Sequence, residues 1–138
     1  MARLVVYGRS SFCPDMMRWQ RWIAENPLEY IEFDIDADDE AWEKVARWTG
    51  HESVPTLVLA ADDSFDPIEE PKPLPAGRSP RAVDRGVMLT EPNPGQVEIF
   101  LDRHGIPYGK ASGLDEAAVT KEGRHREQRG GLRSLLGF

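Results

Sequence analysis

Three short apolar runs, separated by two stretches of helical periodicity, limit the fold more than any other feature of this chain. "LVVY", Leu4–Tyr7, stops at Gly8 and reads as a buried strand. After Cys13-Pro14, the residues Met16, Trp19 and Ile23 recur at offsets of three and four. They mark one face of a helix that the Asn26-Pro27 pair closes. "YIEFDI", Tyr30–Ile35, alternates apolar and polar residues as a second strand does. Asp38, Asp39 and Glu40 then supply the cap and first-turn acids of a second helix, with Trp42, Val45 and Ala46 as its apolar stripe and Gly50 as its stop. "TLVLA", Thr56–Ala60, is a third strand, entered through Val54-Pro55.

Regularity fails after that. Between Asp62 and Arg85 stand five prolines, Pro67, Pro71, Pro73, Pro75 and Pro80, which exclude a helix or a central strand. "GVML" resumes as a fourth strand, and Thr90 or Asn93 caps a helix through Val97, Phe100 and Leu101 to His104-Gly105. The order β-α-β-α-β, long connection, β-α defines an α/β domain over residues 1–105, with a Pro-rich insertion at 62–85. Helix-linked strands are expected to pair in parallel with right-handed crossovers, and the third and fourth strands to pair antiparallel. Residues 106–138 form a C-terminal extension richer in Gly, Arg and Lys, in which a helix over Asp115–Lys121 and a short apolar end, "LRSLLGF", are expected.

Charge and cysteine usage narrow the function classes. A net charge of −7 speaks against a general nucleic-acid binder, because phosphate contact requires a basic face. The single cysteine cannot form an internal disulfide. The opening Met-Ala-Arg runs directly into "LVVY", and no stretch nears the roughly 18 apolar residues that span a bilayer. The expectation is a cytoplasmic chain, without membrane attachment, whose thiol stays reduced.

Cys13 and Pro55 are the positions with chemical content. A cysteine at a helix start meets unpaired N–H groups and the positive end of the helix dipole, which favour thiolate; Asp15 opposes it and Arg9 assists it. The competing reading is a buried cysteine acting as a small hydrophobe. Proline just ahead of a sheet strand is accommodated either by a cis Val54-Pro55 bond or by a trans bond at the strand's first residues. With the cis bond, the Val54 backbone is open to an extended peptide.

Taken together, "VVYGRSSFCPDMMRW" and "SVPTLVL" resemble the strand-loop-CPxC segment and the TVP loop of the glutaredoxins, members of the thioredoxin-fold superfamily. The resemblance covers residues 3–60 and, more loosely, 86–104. It implies a thioredoxin fold, a four-stranded mixed sheet flanked by helices. It also implies Cys13 as the nucleophile, Pro14 behind it, Pro55 as the facing cis-proline, and Ser53 and Val54 as the backbone that holds glutathione. Arg9 is implied as the basic residue that meets a glutathione carboxylate. The implied chemistry is thiol–disulfide exchange with glutathione as co-substrate and glutathione or disulfide-containing proteins as partners. The motif here is C-P-D-M, so Met16 stands where dithiol members carry a second cysteine and only monothiol chemistry is open. Glu52 lies where many relatives are basic, and the Gly-Gly-x-Asp segment is replaced by "RAVDRGVMLTEPN". These departures keep two alternatives in view: a non-catalytic thioredoxin-fold binding module and, further off, an iron–sulfur carrier.

Other constellations are weaker. Arg78, Arg81 and Arg85 are a basic cluster that either supplies anion contacts or pairs on the surface with Glu69 and Glu70, the preferred reading. "DIDADDE" lacks the glycine and the terminal Glu of a calcium loop and reads as helix-capping acids. His51, His104 and His125 share no ligand spacing, so no metal site is expected. Trp19, Trp22, Trp42 and Trp48 read as core and partly exposed helix faces.

Overall fold

The computed structural model describes residues 2–123; the expected apolar end "LRSLLGF" lies outside them. The first strand, β1 (Ala2–Gly8), leads through a loop to helix α1 (Pro14–Glu25) and then to β2 (Glu29–Asp34). Helix α2 (Asp39–Thr49) precedes β3 (Thr56–Ala61). After the long connection come two short strands, β4 (Val83–Asp84) and β5 (Met88–Thr90), then helix α3 (Pro94–Arg103). A 3-10 turn at Gly109–Ser112 leads into β6 (Ala118–Glu122).

One mixed sheet holds all the strands, in the order β4-β5-β3-β1-β2-β6. It therefore has six strands rather than the expected four. Val83–Asp84, within the Pro-rich segment, adds one edge and Ala118–Glu122 adds the other. The helix expected over Asp115–Lys121 is instead the parallel partner of β2, with Tyr30 opposite Val119 and Glu32 opposite Lys121. The open edge of β2 offers a ladder of unpaired backbone groups, and the β-branched Val119 and Thr120 suit it better than a helix. Sequence periodicity alone does not reveal such an edge.

A second correction concerns direction. β1 and β2 are parallel, as their helical link requires, but β3 runs antiparallel to β1, with Thr56 opposite Tyr7 and Ala61 opposite Ala2. The connection through α2 returns the chain to the end of the sheet it left, so β3 runs back along β1. The third and later β5 strands pair antiparallel, as expected.

Alternation along β1 fills both faces. Tyr7 stacks on Phe33 at a centroid distance of 5.1 Å and meets Trp48 edge-on at 5.2 Å, and Phe33 meets Phe65 at 5.0 Å. On the other side Trp19 of α1 stacks with Trp22 at 5.9 Å and meets Tyr30 edge-on at 5.6 Å. α2 buries Ala41, Val45 and Thr49, while Trp42 is 40% exposed. The expected stripe is thus rotated. Asp38 accepts hydrogen bonds from the Glu40 and Ala41 N–H groups, and this cap sets the phase in which the helix meets the sheet. α3 is capped by Asn93 through a capping box with Gln96, one of the two caps expected.

Among the described residues two non-glycine positions are left-handed, Ala82 (φ 59°) and Glu91 (φ 45°), at the two ends of the β4–β5 hairpin. The Ala82 N–H donates to the Thr90 carbonyl at 2.8 Å, which holds the strained residue in place. Glycine adopts that conformation without steric cost. Ala82→Gly is expected to raise stability by about 0.5–1 kcal/mol, read as a higher urea midpoint at unchanged slope.

Candidate active site

The strand directions gather the reactive segments at one end of the sheet. Gly8 ends β1, Asp34 ends β2 and Thr56 begins β3, all at the same level of the ladder. The loop before Cys13 therefore leaves the sheet beside the turn that carries Pro55. β5 ends there too, with Thr90 opposite Thr56, and β4 begins there, with Val83 opposite Thr90.

Cys13 is the N-cap residue of α1, in extended backbone geometry, and its side chain makes no capping hydrogen bond. It is partly exposed and packs against the edge of the core. Pro14 occupies the first helical turn, where its missing N–H is no loss. The unpaired N–H groups of that turn thus lie beside the sulfur's residue with no other side chain capping them. Phe12, just ahead of the cysteine, is 81% exposed, and Met17 is also exposed. Met16 points the other way: it is 3% exposed, and a Cβ placed on Gly8 would come within 2.5 Å of its terminal methyl. The methionine packs directly on the β1 backbone at Gly8, and a side chain there would displace its terminal methyl.

The facing turn is built from Ser53, Val54 and Pro55, all buried, with the Val54-Pro55 peptide bond cis. Thr56 Oγ1 donates to the Ser53 carbonyl at 2.8 Å and lies 3.2 Å from Thr90 Oγ1, which pins the turn to β5. The Pro55 carbonyl accepts from the Glu91 N–H at 2.8 Å. Strand pairing begins at Thr56, so the Val54 amide and carbonyl stand outside the ladder.

Carboxylates hold the loop between β1 and Cys13. Asp36 accepts from Arg9 at 2.8 Å, from the Ser11 N–H at 2.9 Å and from the Ser11 hydroxyl at 2.7 Å. Asp34 accepts from the Ser10 N–H at 3.1 Å. The Arg9 hydrogen bond, reinforced by the Ser11 contacts, keeps Asp36 well below the ordinary carboxylate range, and the same pair raises Arg9. Arg9 also reaches Glu52 at 3.1 Å, so the loop before the cysteine and the turn before the proline are joined by an ion pair. Arg9 and Glu52, expected to act separately on a substrate carboxylate, are engaged with each other.

On the opposite flank Arg81 bonds both oxygens of Asp15, at 2.7 and 2.8 Å, and Glu91 at 2.6 Å. Burial alone would raise Asp15, but its hydrogen bonds with Arg81 and the guanidinium charge outweigh this and lower it. The pairing of the arginines with Glu69 and Glu70 is thus corrected. Arg81 goes to Asp15 and Glu91, and Arg85 donates to the Lys72 and Trp48 carbonyls at 2.6 and 2.7 Å. The cluster splits because the β4–β5 hairpin directs Arg81 toward α1 and Arg85 toward α2.

Residues 4–63 match the glutaredoxin family model. This segment is similar to the glutaredoxins, and the mixed sheet with its flanking helices is consistent with their thioredoxin-like fold. The matched part runs from β1 to just past β3 and contains both Cys13 and Pro55, while β4, β5, α3 and β6 lie beyond it. No curated protein and no solved structure matches the chain. Among the described residues, no helix is long and apolar enough to cross a membrane, and no cluster of His, Cys, Asp and Glu is arranged to hold a metal ion. In this site the sequence reading missed Asp34, Asp36 and Glu91, and gave Arg81 other partners. The first two carry a signal: one ends and the other follows a strand parallel to β1, and so they stand where the Cys13 loop begins.

Because Asp36 and Asp15 are both lowered in the folded protein, their pairing stabilises the fold fully above the unfolded carboxylate value of about 3.9. That contribution is lost as pH falls below it toward the folded values. The urea midpoint is expected to be flat with respect to these groups above about pH 5 and to fall below about pH 4. Asp36→Asn should cost about 1 kcal/mol at neutral pH and reduce the acid-side fall.

Proposed function

We propose that this protein is a monothiol thiol–disulfide oxidoreductase that acts on mixed disulfides through Cys13, with glutathione as co-substrate. The observation that carries this reading is a partly exposed cysteine at a helix N-cap, on a loop ion-paired to a cis-proline turn whose Val54 backbone stands outside the sheet.

In the forward half-reaction the Cys13 thiolate attacks the glutathione sulfur of a protein–glutathione mixed disulfide. The new S–S bond joins Cys13 to that sulfur, the old S–S bond breaks, and the other sulfur leaves as a thiolate. A glutathione thiolate then attacks the sulfur attached to Cys13, releasing oxidised glutathione and restoring the Cys13 thiolate. The unpaired N–H groups of the first turn and the α1 dipole favour the negative sulfur in both steps. Val54 would align the substrate's cysteinyl backbone by pairing with it as a short antiparallel strand. Pro14 and Ser53 shape the two sides of that cleft. No second thiol exists to resolve the intermediate, because Met16 occupies that position and is packed in the core. A single cysteine suits a reducing compartment such as the cytoplasm.

Arg9 bears on the co-substrate. As the residue implied to receive a glutathione carboxylate, it already faces Asp36 and Glu52. Protein disulfides, whose flanking side chains would contact the exposed Phe12 and Met17, are therefore the favoured first substrates.

Cys13→Ser is expected to abolish turnover of a glutathionylated peptide in a coupled reductase assay, and retained turnover would reject the proposal. Glu52→Gln, which releases Arg9 from one carboxylate, should raise kcat/KM for glutathione by about two- to fivefold, the worth of an exposed ion pair.

A further inference from the structure

Arg81 lies beyond the part of the chain that matches the glutaredoxin family, yet its guanidinium is placed on the first turn of the helix that Cys13 caps. Both terminal nitrogens of the fork are engaged. Nη1 and Nη2 hold the two oxygens of Asp15, and Nη1 also reaches Glu91. Asp15 is only two residues past the cysteine in the same turn, and Glu91 donates its N–H to the Pro55 carbonyl. One side chain therefore links both halves of the site.

The backbone supports a dedicated arrangement. The residue after Arg81, Ala82, and the residue at the other end of the hairpin, Glu91, are the two left-handed non-glycine positions among the described residues. Both are unfavourable for a side chain with a Cβ, and both lie where Arg81 and Glu91 must turn toward α1. Helix dipole and geometry also require this charge. An uncompensated Asp15 carboxylate beside the N-cap would oppose the build-up of negative charge on the sulfur.

We propose that Arg81 is a positioning residue of the thiol site, neutralising Asp15 beside Cys13 and tying the first turn of α1 to the proline turn through Glu91. The proposal rests on Cys13 being the reacting group. The charged groups around this end are Asp15 and Arg18 on α1, Arg9 before it, Asp34 at the end of β2 and Asp36 after it, Glu52 before β3, Arg81 before β4 and Glu91 after β5. Arg18 also touches Asp15, at 3.3 Å, but through one oxygen, and its other contact is the Pro92 carbonyl. It is the smaller partner.

The test is a four-protein cycle of wild type, Arg81→Gln, Asp15→Asn and the double variant. It is read as the pH dependence of Cys13 alkylation, in which the thiolate displaces iodide from iodoacetamide. In Arg81→Gln the half-maximal pH is expected to rise by about 0.5–1 pH unit, so alkylation at pH 7 slows about three- to tenfold. In Asp15→Asn, which leaves Arg81 with Glu91 as its remaining carboxylate, it should fall. The double variant should return close to wild type, because the charge and countercharge are removed together. Arg81→Lys, which keeps the charge and loses the fork, should lie between wild type and Arg81→Gln.

A purely structural role predicts no reversal by Asp15→Asn. An Arg81→Gln profile superimposed on wild type, or a shift that persists undiminished in the double variant, overturns the proposal. Should Arg81→Gln lose its near-ultraviolet tryptophan signal and fail to fold, Asp15→Asn decides alone: a lowered profile sustains the assignment and an unchanged one rejects it. Alkylation does not depend on disulfide turnover. A wild-type protein that fails to turn over mixed disulfides, yet shows this cycle, loses the redox role and keeps the Arg81 assignment.

Discussion

The reactive end of this protein depends on where Tyr7 sits. Its strand pairs with Phe33 on one side and Thr56 on the other, so it fixes the level at which β1, β2 and β3 meet. Its ring is fully buried between Phe33 and Trp48, and its hydroxyl donates to the Phe65 carbonyl at 2.7 Å. Burial pushes the phenol up, so the group stays neutral as a buried donor should. One residue later the chain turns out of the sheet toward Cys13, and one residue before Thr56 stands Pro55. A slip of one residue in either pairing would turn Tyr7 to the other face and separate the two turns.

With the turns adjacent, electrostatics decides how they are held. The chain carries an acidic excess, and at this end its carboxylates are not left to face one another. Arg9 lies between Asp36 and Glu52, and Arg81 lies between Asp15 and Glu91. Each arginine joins segments that are distant in sequence. Exposed ion pairs are individually weak, but a planar fork shared between two carboxylates also restricts geometry, which a lysine in the same place would do less well. One pair holds the loop before Cys13 and the other holds the first turn of the helix after it.

Periodicity made the three helices and the first three strands legible, because their apolar faces are long enough to show 3.6- or 2-residue repeats. The motif pair around Cys13 and Pro55 was legible because a cysteine at a helix start and a proline at a strand start are both unusual enough to notice. β6 was not legible, since Val119 is half-buried and Thr120 exposed at an edge, and they carry no strong alternation. Nor was the role of the arginines. Ile68 and Lys72 donate N–H groups to Leu59 and Arg85 carbonyls, and the path these bonds impose brings Arg81 to α1, a long-range result that local sequence does not encode. The same holds for Trp42, whose exposure follows from the phase set by the Asp38 cap rather than from the hydrophobicity of the residue.

The two arginine bridges also bear on how an anion would be recognised here. A guanidinium that already serves two carboxylates presents little net charge to a third, so neither Arg9 nor Arg81 is a strong receptor for a carboxylate that arrives from solvent. What remains uncommitted is backbone: the N–H groups of the first turn of α1, which no side chain caps, and the Val54 amide outside the ladder. Both are directional donors that recognise an extended peptide or a developing thiolate equally well, and neither requires a particular side chain on the substrate. Under the proposed function, a site arranged this way would discriminate by the geometry around a sulfur atom and by apolar contact with the exposed Phe12, more than by the charge of the molecule that bears the sulfur.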